Sequence, residues 1–223
     1  MNMQIMAKFE PKTINDFIYS SDHSRETIAN IVNGNVPFPS SGKNGILLYG
    51  VWGTGKSALA KILPEAIEAR LSDRDTLARY EVIKPGNKGA DVIASIDFQT
   101  NLVSLTSYHY IVLDEVDLLT EAAMSSLKSI MNKKYSIFIM TTNYLEKIDR
   151  GVINRSILVD FNAAPANEWL FRVRQILSEY EVVIEDDQVL LDIIRPCHGS
   201  ARDIIYAAHC LAVKLKSNPK LTS

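Results

Sequence analysis

The sequence predicts an α/β fold: a doubly wound parallel sheet within residues 1–162, followed by a small all-α subdomain in residues 163–223. Three short apolar runs, Gly45–Tyr49, Tyr110–Leu113 and Ser136–Met140, are typical of buried strands in a parallel sheet. Segments with helical spacing of apolar residues lie between and after these runs. Strands that alternate with helices predict a parallel sheet covered on its faces, and the later helices predict a separate helical layer.

The helices follow from composition and periodicity. Ser57–Ala69 is rich in Ala, Leu, Ile, Glu and Lys with apolar residues at helical spacing, and Glu121–Met131 separates the second and third strands. Beyond about Pro165 the pattern is helical throughout. It predicts amphipathic helices at Glu168–Ser178 and Ala201–Leu215, with a shorter one at Asp187–Ile194.

Composition and charge exclude several classes of protein. Hydrophobic residues make up 47% and charged residues 22% of the 223 residues, as in soluble globular domains. A net charge of −2 argues against a surface wholly committed to nucleic acid, and two cysteines are too few for a disulfide framework. No apolar run reaches the roughly 18 residues of a membrane helix. We therefore expect no membrane association and a cytoplasmic location, or a nucleoid or nuclear one if the source is eukaryotic.

A phosphate-binding motif lies between the first strand and the first helix. Residues Gly50–Ser57 fit the pattern G-x-x-x-x-G-K-[ST] of a P-loop, in the strand-to-helix context that the motif requires. Glycines let the backbone wrap phosphate oxygens, and the helix N-terminus adds free N–H donors. Lys56 is expected to contact the β- and γ-phosphates of ATP, and Ser57 to offer its hydroxyl to Mg²⁺. Trp52 is expected to pack as an ordinary aromatic rather than to shape the loop. The predicted nucleotide-binding residues are Gly50, Val51, Trp52, Gly53, Thr54, Gly55, Lys56, Ser57 and Ala58.

Two carboxylates follow the second strand. Asp114 and Glu115 lie at its carboxyl end, where ligands of open α/β sheets bind. Asp114 is expected to hold Mg²⁺, and Glu115 to orient and polarise the attacking water, which favours hydrolysis over transfer to a small molecule. The alternative is that these residues, with Asp117, simply cap the next helix.

Further segments give the chain a family resemblance. The opening Lys8–Ile18 resembles an entry segment of the form Lys-Tyr-Arg-Pro-x-x-(Leu/Ile)-x-Asp-(Phe/Ile), except that Glu10 replaces the usual Arg. Asn143 comes just after the third strand, Asn154-Arg155-Ser156 resembles a Ser-Arg-Cys box followed by a strand, and Gly199–Asp203 resembles Gly-(Asp/Ser)-x-Arg. With the P-loop and the acidic pair, these segments resemble the AAA+ ATPases, and among them the clamp-loader group typified by replication factor C small subunits.

The resemblance implies roles for three more residues. Asn143 would be sensor 1, which helps to position the attacking water, although an Asn in a turn is the alternative. Arg155 would be the arginine finger that reaches the ATP site of a neighbouring subunit, with Arg150 as the competing candidate. Arg202 would be sensor 2, which brings a guanidinium from the helical lid to the phosphates. For Arg155 and Arg202, the alternative is an ordinary surface arginine.

The function implied is ATP hydrolysis coupled to assembly or remodelling of a DNA-associated complex. Expected partners are other AAA+ subunits in a homo- or hetero-oligomer with ATP at the interface, and DNA or a DNA-bound protein such as a sliding clamp. Lys128, Lys133 and Lys134 are candidates for a basic track toward DNA, or are ordinary solvated charges.

The helical collar that follows the lid in this family is not within the 223 residues. We therefore expect assembly through another interface or through a partner that supplies the collar. Two alternative functions are a loader or regulator acting on another protein, such as a helicase loader or a transposition regulator, and an ATP-binding scaffold with little hydrolysis. A P-loop kinase would leave Asn143, Arg155 and Arg202 unexplained as a set.

Overall fold

A computed structural model describes residues 9–85 and 88–217 and contains one five-stranded parallel sheet. The strand order is β2-β3-β4-β1-β5, in which the chain crosses over between strands as it does in doubly wound sheets. This confirms the predicted fold class. The strands are β1 (Gly45–Tyr49), β2 (Ala78–Val82), β3 (His109–Asp114), β4 (Ser136–Thr142) and β5 (Ser156–Asp160).

Eight α-helices are present in the described part of the chain. They are α1 (Asp22–Asn33), α2 (Lys56–Glu68), α3 (Lys88–Gln99), α4 (Glu121–Ile130), α5 (Arg150–Asn154), α6 (Leu170–Ser178), α7 (Asp187–Ile194) and α8 (Ala201–Ser217). The predicted helices are all found, with bounds shifted by a few residues. One of them begins differently, because Ala166–Trp169 forms a 3₁₀ turn before α6.

The sheet carries an apolar core on each face because side chains alternate along its strands. On β1, Ile46 and Leu48 lie in one cluster with α1 and α2, while Leu47 lies in the other with α3 and α4. Every residue of β3 and β4 is buried. Because helices cover both faces of the sheet, these strands appear in the sequence as continuous apolar runs.

A buried carboxylate joins the far end of α2 to the segment before β3. Glu68 accepts hydrogen bonds from Ser72 Oγ at 2.6 Å, from Ser107 N and Oγ at 3.0 and 2.9 Å, and from the Tyr110 hydroxyl at 2.8 Å. Burial alone would raise the pKa of Glu68, but these hydrogen bonds outweigh it and hold that pKa below its ordinary value of 4.5. The helix that begins at the P-loop is therefore anchored at both ends.

The helical segment 163–217, which the sequence predicts to be a lid and which keeps that name below, has an apolar core formed by α6, α7 and α8. Val173, Ile176, Leu190 and Ile204 are buried in it. Phe9, from the opposite end of the described chain, also packs in this cluster. The amino-terminal segment therefore bridges the sheet subdomain and the lid.

Candidate nucleotide-binding and catalytic site

A cavity of about 660 Å³ lies between the carboxyl ends of β1, β3 and β4 and the first turn of α8. This is the crevice at which open parallel sheets bind ligands. Most of the predicted site residues line it. They are Trp52, Gly53, Thr54, Gly55, Lys56, Ser57, Ala58, Asp114, Glu115, Asn143 and Arg202. Gly50, Val51 and Arg155 are not among its lining residues.

The P-loop joins β1 to α2, and the N-terminus of α2 opens on the cavity. Gly55 precedes the helix with φ of +104°, a conformation that only glycine adopts without strain. Thr54 Oγ1 donates to Val51 O at 3.1 Å and closes the loop on itself. The unpaired N–H groups of the first helical turn are suited to bind an anion. One expectation is wrong: the Trp52 side chain is 70% exposed and does not pack in a core.

The lysine of the motif is buried beneath its own loop. Lys56 Nζ donates to Gly50 O at 2.9 Å and to Val51 O at 2.6 Å. Burial lowers the pKa of Lys56 to about 8, against the opposing attraction of nearby carboxylates, of which Asp114 contributes most. The two carbonyl oxygens carry only a partial negative charge. An anion bound in the loop would give the ammonium group of Lys56 a full opposite charge.

The carboxylate of Asp114 accepts hydrogen bonds from three hydroxyl groups, one on a helix and two on different strands. Its Oδ1 accepts from Ser57 Oγ at 2.8 Å and from Thr141 Oγ1, and its Oδ2 accepts from the Tyr80 hydroxyl at 2.7 Å. Sequence reasoning missed both Tyr80 and Thr141. The predicted strand stopped at Met140, whereas β4 continues for two more residues to Thr142.

The pair Ser57 and Asp114 fits a magnesium ion. A hydroxyl oxygen and a carboxylate oxygen 2.8 Å apart are hard ligands close enough to share one cation. Among the described residues, no group of three or more His, Cys, Asp or Glu side chains could hold a metal. Mg²⁺ commonly binds one or two protein oxygens and takes its other ligands from phosphates and water.

Glu115 follows β3 in a left-handed conformation. Its φ is +61°, which costs a non-glycine residue roughly 1–2 kcal/mol. Its N–H donates to Thr141 Oγ1 at 3.0 Å, and its side chain is exposed at the cavity wall. The bend turns the residue away from the direction of the strand, so that the carboxylate of Glu115 faces the cavity rather than the core.

The alternative that the acidic residues cap the next helix is wrong. Thr120 caps α4, because its side chain accepts from Ala123 N at 3.3 Å. Asp117 instead accepts from Thr142 Oγ1 at 2.7 Å and from Asn143 N at 3.3 Å. This carboxylate therefore ties the segment after β3 to the end of β4 and fixes the backbone that carries Asn143.

The lid contributes cations to the cavity. Arg202 lies in the first turn of α8 with an exposed side chain, and among the described residues no ion pair involves it. Arg172, which sequence reasoning missed, also lines the cavity and donates to Asp16 O at 2.7 Å. The cavity thus receives positive charge from the lid as well as from the P-loop.

The cavity also has large apolar lining residues. Glu10, the departure from the family pattern, is among the lining residues, whereas Lys8 lies outside the described residues. A cavity with both apolar and charged lining groups suits a nucleotide, which has an apolar base and charged phosphates. The apolar lining residues outside the P-loop include Phe9, Pro11, Phe17, Ile18, Ile62, Trp169 and Ile205.

Arg155 lies far from the cavity of its own chain. It directly precedes Ser156, which pairs with Gly45 at the amino end of the sheet, one strand length of roughly 15 Å from the P-loop edge. Its Nε donates to Asn132 Oδ1 and its Nη1 to Gly151 O, both at 2.9 Å. Arg150 is exposed on α5. The structure therefore leaves any role of Arg155 in ATP chemistry to a neighbouring chain.

Two of the three candidate lysines for a DNA track have partners within the chain. Lys133 Nζ lies 2.5 Å from Asp97 Oδ1 and also contacts Asn101, and Lys128 Nζ lies 3.3 Å from Asp149 Oδ2. Lys134 is exposed in the turn before β4. Ordinary surface ion pairs explain the first two lysines as well as contact with DNA would.

Comparison with known proteins agrees with this geometry. The family described as "ATPase family associated with various cellular activities (AAA)" matches residues 46–161. The chain is 26% identical over 214 residues to replication factor C small subunit 2 of Pyrobaculum islandicum, covering 94% of this chain and 63% of that protein. It is also 26% identical over 192 residues to human replication factor C subunit 5, covering 83% and 54% respectively.

A solved structure extends the comparison to the fold. The RuvB Holliday junction branch migration motor of Thermotoga maritima superposes with a TM-score of 0.65 at 16% identity, over 96% of this chain and 67% of that one. The chain spans 63% and 54% of the two curated relatives. In the described part of the chain, no helix combines the length and apolarity needed to cross a lipid bilayer.

Proposed function

The chain belongs to the AAA family of ATPases, and we propose that it hydrolyses ATP to drive the assembly or remodelling of a DNA-associated complex, as a clamp-loader-like subunit. The observation that carries this proposal is the convergence of core and lid residues on one cavity. Lys56, Ser57, Asp114 and Asn143 come from the sheet subdomain, and Arg202 comes from the lid. A site shared between two subdomains lets the nucleotide control their relative position.

Each residue has a role in the proposed reaction. The P-loop backbone and Lys56 bind the phosphates, and Glu115 orients the water that attacks the γ-phosphate, with Asn143 as a second contact. Ser57 and Asp114 would hold Mg²⁺, which neutralises charge on the phosphates when it is bound. Val51, Trp52, Thr54 and Ala58 complete the loop around the nucleotide.

Two arginines would connect hydrolysis to conformation. Arg202 would contact the phosphates and close the lid, and its contact would weaken once the γ-phosphate leaves. Arg155, remote from its own cavity, would act on the ATP site of an adjacent subunit. Such an arrangement requires an oligomer, with other AAA+ subunits as partners and ATP at their interfaces.

The DNA-associated role rests on the relatives, whose names identify them as subunits of a replication factor. We therefore propose DNA, a DNA-bound protein such as a sliding clamp, or both as further partners, and a location where DNA is present: the cytoplasm or nucleoid, or the nucleus in a eukaryote. Lys128 and Lys133 already form ion pairs within the chain, so they give this part of the proposal no specific support.

The test compares Glu115→Gln with wild-type protein in steady-state phosphate release and in ATP binding. We expect bound ATP to be unchanged and turnover to fall about 100-fold or more, because a positioned base contributes roughly 10²–10⁴ to such rates. Glu121→Gln is the matched control, since Glu121 is an exposed carboxylate at the start of α4. Equal turnover in wild type and Glu115→Gln would show that Glu115 is not catalytic.

A second measurement addresses the DNA-associated role. Turnover of the wild type is measured alone, with primed DNA, and with primed DNA plus a sliding clamp. We expect stimulation by DNA and further stimulation by the clamp, because assembly around these partners brings Arg155 of one subunit to the next site. A rate that is the same in all three conditions would refute this part of the proposal and leave the ATPase assignment standing.

A further inference from the structure

Tyr80 contacts two sides of the ATP site through different parts of one side chain. It lies in the middle of β2, the edge strand next to β3. Its hydroxyl donates to Asp114 Oδ2 at 2.7 Å, and its ring lies under the ammonium group of Lys61, 4.5 Å from the ring centroid.

The hydroxyl of Tyr80 determines how the Asp114 carboxylate is turned. Ser57 and Thr141 both donate to Oδ1, whereas Oδ2 accepts from Tyr80. The terminal torsion of an aspartate is soft, so donors on both oxygens are needed to fix its plane.

The ring of Tyr80 holds a second lysine at the cavity. Lys61 lies four residues after Ser57 on α2, and therefore on the same face of the helix. It lines the nucleotide cavity, and among the described residues no carboxylate forms an ion pair with it. An ammonium group held by a ring rather than by a carboxylate keeps its charge available to phosphate.

We propose that Tyr80 is a positioning residue of the ATP site, which orients Asp114 for Mg²⁺ with its hydroxyl and places Lys61 beside the phosphates with its ring. The inference rests on the proposed ATP binding. It predicts separable effects, since Tyr80→Phe removes the hydroxyl and keeps the ring, Tyr80→Leu removes both, and Lys61→Met removes only the charge.

The experiment measures nucleotide binding rather than turnover. Trp52 and Trp169, the only two tryptophans, both line the cavity, so intrinsic fluorescence reports ATP binding directly. Each variant is titrated with ATP in EDTA and again over a series of Mg²⁺ concentrations. Tyr108→Phe is the matched control, because Tyr108 packs its ring against Tyr110 and lies before β3, at the opposite end of the strand from Asp114.

We expect Tyr80→Phe to bind ATP in EDTA like the wild type. It should need about 10-fold more Mg²⁺ to reach half of its Mg²⁺-dependent fluorescence change, because removing a residue that hydrogen-bonds to a metal ligand typically weakens metal binding by about this factor. Tyr80→Leu and Lys61→Met should both bind ATP several-fold more weakly in EDTA, as expected for loss of a cation near phosphate. Melting temperatures should match that of Tyr108→Phe within a few degrees for Tyr80→Phe and Lys61→Met.

The outcomes separate this inference from the proposed function. A Mg²⁺ dependence of Tyr80→Phe equal to that of Tyr108→Phe would overturn the orienting role of the hydroxyl. Wild-type ATP affinity in EDTA for either Tyr80→Leu or Lys61→Met would overturn the role of the ring in placing Lys61 beside phosphate. Failure of the wild type itself to bind ATP would instead refute the proposed function.

Discussion

Gly50, the first glycine of the P-loop, has no room for a side chain because the backbone that follows β5 lies against it. Gly50 has φ of +145°, and a Cβ placed there would lie 2.7 Å from the carbonyl C and O of Phe161 and 2.8 Å from Asn162 N. These are backbone atoms between β5 and the lid, so no side chain can turn aside. Gly50→Ala must therefore strain the backbone dihedral and also push the two segments apart.

The magnitude follows from a comparison with Gly42, which has φ of +77° but where an added Cβ would meet no atom within 4 Å among the described residues. Gly42→Ala carries only left-handed strain, about 1–2 kcal/mol. Gly50→Ala adds overpacking of about 1–3 kcal/mol. With a urea m-value of about 2 kcal/mol/M, the Gly50→Ala midpoint should lie about 1 M below that of Gly42→Ala. Equal midpoints would refute the close approach of the P-loop to the segment before the lid.

Three more predictions concern the site and its support. Thr141→Val removes the hydroxyl that donates to the Asp114 carboxylate and accepts from Glu115 N, so phosphate release should slow about 10- to 100-fold. An unchanged rate would show that these hydrogen bonds do not matter for catalysis. Because the pKa of Glu68 is lowered on folding, its contribution is full above pH 4.5 and is lost as the pH falls further. The stability gap between wild type and Glu68→Gln in urea unfolding should therefore stay constant from pH 7 to about pH 5 and shrink as the pH falls below 4.5, and a gap that does not change below pH 4.5 would contradict the assignment. Mixing inactive Arg155→Ala with inactive Glu115→Gln should restore part of the ATPase rate if Arg155 acts across an interface, whereas no recovery would contradict a role in trans.

The parts of the site that follow directly in sequence from a strand could be predicted. Gly50–Ser57 and Asp114 each continue a fully apolar run, and the carboxyl ends of parallel strands meet at one edge, so both motifs are correctly predicted to share a single crevice. The helical lid was predictable for the same reason: its apolar periodicity is local. These signals depend on residues within about one turn or one strand of each other.

The supporting residues could not be predicted because their partners are distant in sequence. Tyr80 lies 34 residues from Asp114, and its strand contains Arg79 and Glu81, which pair with each other on the edge strand of the sheet. An edge strand with this composition lacks the apolar run by which β1, β3 and β4 are recognised. Thr141 was missed since its hydroxyl interrupts the apolar pattern although the strand continues.

The packing of Phe9 in the lid core has a mechanical consequence. Only a short segment separates Phe9 from Phe17, which belongs to the core cluster of the sheet subdomain, and both residues line the nucleotide cavity. A rotation of the lid would therefore move the part of the cavity lining that contains Phe9, while the part that contains Phe17 stays with the sheet. Such a rotation would also move Arg202, so one movement of the lid would change two sets of contacts to a bound nucleotide.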